Sequence, residues 1–170
     1  MQSGALHNDE TLQWKLLNFY VKKMQPLVDK IETGSIPAMH NLGLVRFHGD
    51  LNDNNIGRSY ESAFEWFSKA SDADHSSAMA MKGKMLCEGK GCLQNIPYGL
   101  ICLATAAGMG SAFACFMLGV WHEEQKYGLL HSEKQTRIWL KKALHARCRD
   151  GTPTGIEYMN KWLADHPEPT

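Results

Sequence analysis

The feature that most narrows what this chain can fold into is an internal period. An alanine followed five positions later by glycine occurs three times, at Ala38 and Gly43, Ala78 and Gly83, and Ala114 and Gly119. Each is followed by a second marker, a bulky or apolar pair with an alanine close behind: Trp66-Phe67 with Ala70, Cys102-Leu103 with Ala106, and Trp139-Leu140 with Ala143. The first markers lie 40 and 36 residues apart and the second 36 and 37. Two independent markers agreeing on one period signal a repeat architecture, in which each unit buries its apolar face only against its neighbours.

Within the period, each unit reads as two helices. In the middle unit Ala78, Met81, Met85 and Leu86 recur at helical spacing. Ser76 and Ser77 are N-cap candidates, and Gly89 stands where a terminal glycine ends a helix. A turn-rich connection follows from Gly89 to Asn95. Asn95 suits the next cap and Pro97 the next first turn, with Leu100, Leu103 and Ala107 giving one apolar face. Glycine inside a helix costs about 1 kcal/mol against alanine. Gly43, Gly83 and Gly119, at one phase of the repeat, therefore predict close helix crossings. Outside the units, residues 9–33 carry a helical pattern that Pro26 should kink or break. A last helix is expected from about Pro153 to Ala164, with Ile156, Met159, Trp162 and Leu163 on one face.

The ordered set resembles the Sel-one-like repeat, a relative of the tetratricopeptide repeats. The middle unit carries it through Ala78, Gly83, Gly89, Gly91, Asn95, Ala106, Ala107 and Gly110. The first supplies Leu42-Gly43, Ala63, Trp66 and Lys69-Ala70, and the third Leu118-Gly119, Trp139 and Lys142-Ala143. Cys92, Cys102 and Gly99 depart from the valine, tryptophan and alanine of the pattern, and the third connection keeps only Gly128 of two turn glycines. The resemblance implies an all-α fold, a right-handed α-solenoid of about three antiparallel helix pairs. Its units would be 36–75, 76–110 and 111–146, between an N-terminal helical cap over 1–35 and a C-terminal capping helix and tail over 147–170. It also implies a non-catalytic adaptor or scaffold that binds a protein or peptide partner.

On the tetratricopeptide relationship, the first helix of each unit lines a concave groove at positions two, six, nine and ten after the marker alanine. Those are His40, Leu44, Phe47 and His48; Ala80, Lys84, Cys87 and Glu88; and Phe116, Val120, Glu123 and Glu124. The groove is then apolar and aromatic along its floor, with histidines at one end and glutamates at the other, which suits an extended peptide or a helix with apolar anchors. Leu44, Phe47, Phe116 and Val120 fit core packing between neighbouring helices equally well. An inhibitor or immunity-type protein that blocks a partner enzyme is a specialised form of the same reading.

Composition excludes other classes. Eighteen basic residues balance eighteen acidic ones, so no global basic footprint for nucleic acid exists. Zero net charge also removes the repulsion that opposes self-association. The longest apolar run, Leu100 to Ala107, is too short to cross a bilayer. The first ten residues lack a basic and an apolar region of the export type. Five cysteines (Cys87, Cys92, Cys102, Cys115 and Cys148) form no C-x-x-C pair. Together these predict buried thiols in a cytoplasmic protein, with no metal and no cofactor. One stretch resembles a calcium loop: Asp50, Asn52, Asn54 and Glu61 fall at positions 1, 3, 5 and 12. Position 6 is Asn55, however, where that loop needs glycine, and the segment reads better as a polar turn capped by Ser59. Histidines invite a hydrolase alternative, with His122 beside Glu123 and Glu124, yet no nucleophile elbow, H-E-x-x-H or phosphate loop is present.

Overall fold

The computed structural model describes residues 22, 24–49, 57–146 and 153–167. Trp14, Phe19, Tyr20, Cys148 and the calcium-loop positions from Asp50 to Asn55 lie outside the described residues. Apart from one short 3-10 turn at Lys126–Gly128, the regular elements are α-helices: α1 over residues 24–32, then α2 (Ile36–His48), α3 (Tyr60–Asp72), α4 (Ser76–Glu88), α5 (Ile96–Gly108), α6 (Ala112–Glu123), α7 (Glu133–His145) and α8 (Pro153–Asp165). Helical residues stand on both sides of Pro26, so the proline does not break the helix within the described residues.

The helix starts follow local chemistry. Ser59, Asn95, Ser111 and Ser132 each accept a hydrogen bond from a backbone N–H three residues on, satisfying a donor that the first turn leaves open. The start of α4 corrects the sequence expectation. Ser76 and Ser77 lie inside the helix, and the cap is His75, whose Nδ1 accepts from the Ala78 N–H at 3.2 Å. An imidazole nitrogen is placed like a serine or asparagine oxygen here, a substitution that cap preferences alone do not suggest. At the other end Gly89 adopts the left-handed conformation and its N–H reaches the Met85 carbonyl.

Packing follows the repeat. Within each unit the paired helices α2/α3, α4/α5 and α6/α7 meet most extensively, while α3 meets α4 and α5 meets α6 across units. α4 also touches α6, so the first helices form one layer and α3, α5 and α7 the other. The repeated glycines sit where the paired helices meet. A Cβ on Gly43 would stand 2.6 Å from the Phe67 ring, on Gly83 2.7 Å from the Gly99 carbonyl oxygen, and on Gly119 2.8 Å from Leu140. The partners Phe67, Leu103 and Leu140 are fully buried and occupy one register of the three second helices. Gly91 serves a different contact: its φ is +69°, and a Cβ there would collide with the backbone of Tyr60 at 2.2 Å.

The ends are closed by helices. Met24 of α1 is buried with Leu42, and Leu27, Ile31, Val45 and Trp66 pack against that pair. Met159 and Trp162 of α8 are buried with Cys115, Leu140 and Ala143. Ile156, expected on that apolar face, is exposed. The last intra-repeat connection, short of glycine, places Gln125 and Tyr127 at φ of 54° and 56°, unusual for side chains with a Cβ. Tyr127 is held edge-on against Trp121 at 4.5 Å.

Candidate functional site

The first helices bring residues of all three repeats around one cavity of about 320 Å³. α2 supplies His40, Leu44, Phe47 and His48, α4 supplies Ser77, Met81 and Lys84, and α6 supplies Phe113. Five of these residues are groove positions expected from the sequence. Ser77, Met81 and Phe113 are not. They lie one residue before a marker alanine, or three after it, on the turn that faces the preceding repeat. Phe47 belongs both to the cavity and to the core, being 8% exposed and packed in the cluster of Phe67 and Met85. This side chain thus combines core packing with lining of the cavity.

The polar side of the cavity is basic. The Lys84 Nζ stands 5.5 Å from the centre of the Phe47 ring and 5.9 Å from that of Phe113, a cation held between two aromatic faces. Lys84 also lies 3.9 Å from Glu88, one turn on, and Glu88 in turn pairs with Lys90 at 2.9 Å. That hydrogen bond holds the Lys90 ammonium above the usual lysine range. Burial, and then the charge of Lys84, lower the pKa of His48 below its ordinary value. His40 stacks on the capping His75 at 4.7 Å and tilts against Phe67, linking the first repeat to the start of the second.

The other groove positions go elsewhere. Ala80 and Cys87 are fully buried beneath Leu103 and Ala106 and face no groove. Burial pushes the Cys87 thiol up to about 11, with Cys102 and Glu88 adding to the effect. Val120 packs beside Trp121 and Leu118. Phe116 meets Tyr158 of α8 edge-on at 6.0 Å, so the capping helix covers its face. The Tyr158 phenol is raised by burial and by Glu123 and Glu124. Glu88 and Glu124 each pair with a lysine two residues on, Glu124 with Lys126 at 2.7 Å.

The residues of the hydrolase alternative make a loose set. His131 Nδ1 lies 3.9 Å from the Glu123 carboxylate, while His122 Nδ1 donates to the Leu130 carbonyl at 3.1 Å. Among the described residues no three His, Cys, Asp or Glu side chains are grouped to hold a metal. No described helix is long and apolar enough to cross a membrane.

Two layers of antiparallel helix pairs, closed at each end by a helix, define an α-solenoid of helix-pair repeats. Residues 36–75, 76–111 and 112–146 match the Sel1 repeat, and the chain belongs to the Sel1 repeat family. The solved structures agree in fold. A Sel1 repeat protein from Oxalobacter formigenes superposes with a TM-score of 0.61 at 18% identity, covering 78% of this chain and 51% of that one. A protective antigen present in uropathogenic Escherichia coli strains, displaying an SLR fold, gives a TM-score of 0.61 at 23% identity over 84% of this chain and 28% of its own. The chain therefore spans about half the length of the first and under a third of the second. Comparison with curated proteins finds no match. Sel1 repeats generally act as protein–protein interaction modules.

Proposed function

We propose that the chain is a non-catalytic interaction module, an adaptor or scaffold, whose first-helix layer takes up a peptide or protein segment. The observation that carries this reading is the cavity into which α2, α4 and α6 all project. Its volume exceeds that of a single side chain, so it admits a large apolar anchor with part of the neighbouring segment, and Leu44, Phe47, Met81 and Phe113 supply the apolar wall that desolvates such an anchor. Lys84, His40 and His48 border the same space, and among the described residues no carboxylate lines it. The segment that complements it carries an aromatic or branched aliphatic residue with an aspartate or glutamate beside it.

The test is selection of a displayed peptide library on the purified protein, followed by affinity measurement of the enriched sequences. The expected peptides combine an apolar anchor with a neighbouring acid, and they bind a Phe113→Ala, Lys84→Glu double variant at least tenfold more weakly while its circular dichroism is unchanged. Peptides that bind wild type and variant equally would place recognition elsewhere on the molecule.

A further inference from the structure

From Gly91 to Trp121 the chain has 31 consecutive residues without Asp, Glu, Lys, Arg or His. Much of this stretch is core, but α5 also faces solvent. Tyr98, Ile101 and Met109 are 45%, 60% and 42% exposed, and Ala104, Thr105 and Gly108 are exposed between them. The repeat supplies an internal comparison, because the same register in the flanking units carries more charge. Where α5 has Ile101, Thr105 and Gly108, α3 has Glu65, Lys69 and Asp72, and α7 has Ile138, Lys142 and His145. In α3 and α7 the tryptophan of the repeat is roofed by a lysine one turn on, Lys69 over Trp66 at 4.5 Å and Lys142 over Trp139 at 4.7 Å. In α5 those two positions are Cys102 and Thr105. Two of three units thus keep their outer helix wet, and the middle one does not.

We infer that the outer face of α5 is the contact between two copies of this chain, related by a two-fold axis running along α5. An uncharged face is matched best by another uncharged face, because a charged partner would lose hydration there without gaining a counter-charge. The neighbours on either side select a second copy over an unrelated protein. The exposed face of α3 carries Glu61, Glu65 and Asp72 against one lysine, Lys69. The exposed face of α7 carries Lys134, Lys141 and Lys142 against one glutamate, Glu133. With α3, α5 and α7 in that order along the outer layer, rotation about α5 sets the acidic flank of each copy beside the basic flank of the other. Zero net charge leaves no long-range repulsion to oppose the encounter. The small residues Ala104, Thr105 and Gly108 let the paired α5 helices approach closely. A 13-residue helix is only about 20 Å long, so the contact is at the small end of specific interfaces and the association is reversible. The surface belongs to the second-helix layer and is independent of the cavity described above.

Sedimentation equilibrium of the whole chain over a range of concentrations tests the proposal. The weight-average mass should climb from 19.1 kDa towards twice that value. Ile101→Glu, at an exposed position where the fold tolerates a charge, should lower the association constant at least tenfold, whereas Leu130→Glu, at another exposed apolar position, should leave it unchanged. Glu65→Lys should weaken association, and adding Lys134→Glu to the same chain should recover it, because the two-fold sets the α3 face of one copy against the α7 face of the other. A mass that stays at 19.1 kDa throughout, or association that survives Ile101→Glu, overturns the dimer. Failure of the double charge exchange to recover association overturns the two-fold arrangement.

Discussion

Gly83→Ala and Gly108→Ala should have opposite effects on stability, although both replace a glycine in a helix of the middle repeat. Alanine is favoured over glycine in a helix by about 0.8–1.0 kcal/mol, and both variants gain some of this. At Gly108, in the last turn of α5, the new methyl meets nothing within 4 Å, so the gain stands and stability rises by roughly 0.5–1 kcal/mol. At Gly83 the methyl would stand 2.7 Å from the Gly99 carbonyl oxygen, 3.0 Å from Leu103 Cγ and 3.1 Å from Cys102 Cβ. The closest of these is backbone on a packed helix and cannot rotate away. α4 and α5 must part by about 0.7 Å to restore an ordinary contact of 3.4 Å. A gap of that size forfeits roughly a quarter to a half of each dispersion contact across it, and overpacking of this kind costs about 1–3 kcal/mol. After the helix gain, Gly83→Ala should be destabilised by up to about 2 kcal/mol. Urea unfolding followed by far-ultraviolet circular dichroism, at one low protein concentration, reads this directly. With a slope of about 2 kcal/mol per molar, the midpoint should fall by up to roughly 1 M for Gly83→Ala and rise for Gly108→Ala. A Gly83→Ala midpoint at or above wild type would refute the claim that the repeated glycine exists for a close crossing.

Other expectations follow from the buried thiols and from the cavity. Burial raises Cys87 to about 11 and raises Cys102 and Cys115 as well, so at pH 8 about one Cys87 thiol in a thousand is ionised. Iodoacetamide should label these three cysteines in urea and leave them unmodified in the native protein, as peptide mass mapping would show; rapid native labelling of Cys87 would contradict its placement. His48 has a lowered pKa in the folded state, so the unfolded chain binds the proton more tightly. Its contribution to stability is present above the ordinary histidine value of 6.5 and is lost as pH falls from there through the lowered folded value. His48→Gln should therefore flatten the fall in urea midpoint between pH 7.5 and 5.5, and an unchanged slope would remove His48 from the account.

The architecture was legible in the sequence because a solenoid repeats its packing solution and so prints it several times. Three glycines at one phase predicted three close crossings, and each is now seen beneath Phe67, the Gly99–Leu103 turn or Leu140. Caps were legible at Ser59 and Asn95, where serine or asparagine occupied the position. The start of α4 was not, because histidine caps through a ring nitrogen and two serines stood immediately after it. The groove positions were legible only in part. Counting from the marker alanine treats the three first helices as equivalent, but their surroundings differ. α8 closes over Phe116, the Gly83–Gly99 contact draws Cys87 under α5, and only the first repeat leaves its whole set facing the cavity. Which end of an array a cap covers is a tertiary fact that periodicity does not encode.

The middle repeat joins these observations, since its departures from the family pattern are structurally linked. Gly99, in place of alanine, lets the α5 backbone approach Gly83, with the Cα of each glycine facing the carbonyl oxygen of the other. The same tight approach leaves room at the next register for Cys102, which is 7% exposed, rather than for a tryptophan. Without an indole on the outer edge there is nothing for a lysine to roof, and Thr105 stands where the neighbouring units have Lys69 and Lys142. Losing the tryptophan therefore accounts for the loss of one charge from the outer face. It does not account for Ile101, which stands where α3 has Glu65 and, though matched by Ile138 of α7, is 60% exposed against 37%, or for Gly108 where α3 has Asp72 and α7 has His145, because neither position touches the crossing. Packing within the repeat would accept a carboxylate at both. That these solvent-facing positions are also uncharged is what separates an interface on α5 from a by-product of close packing, and Ile101→Glu is the substitution that tells the two apart.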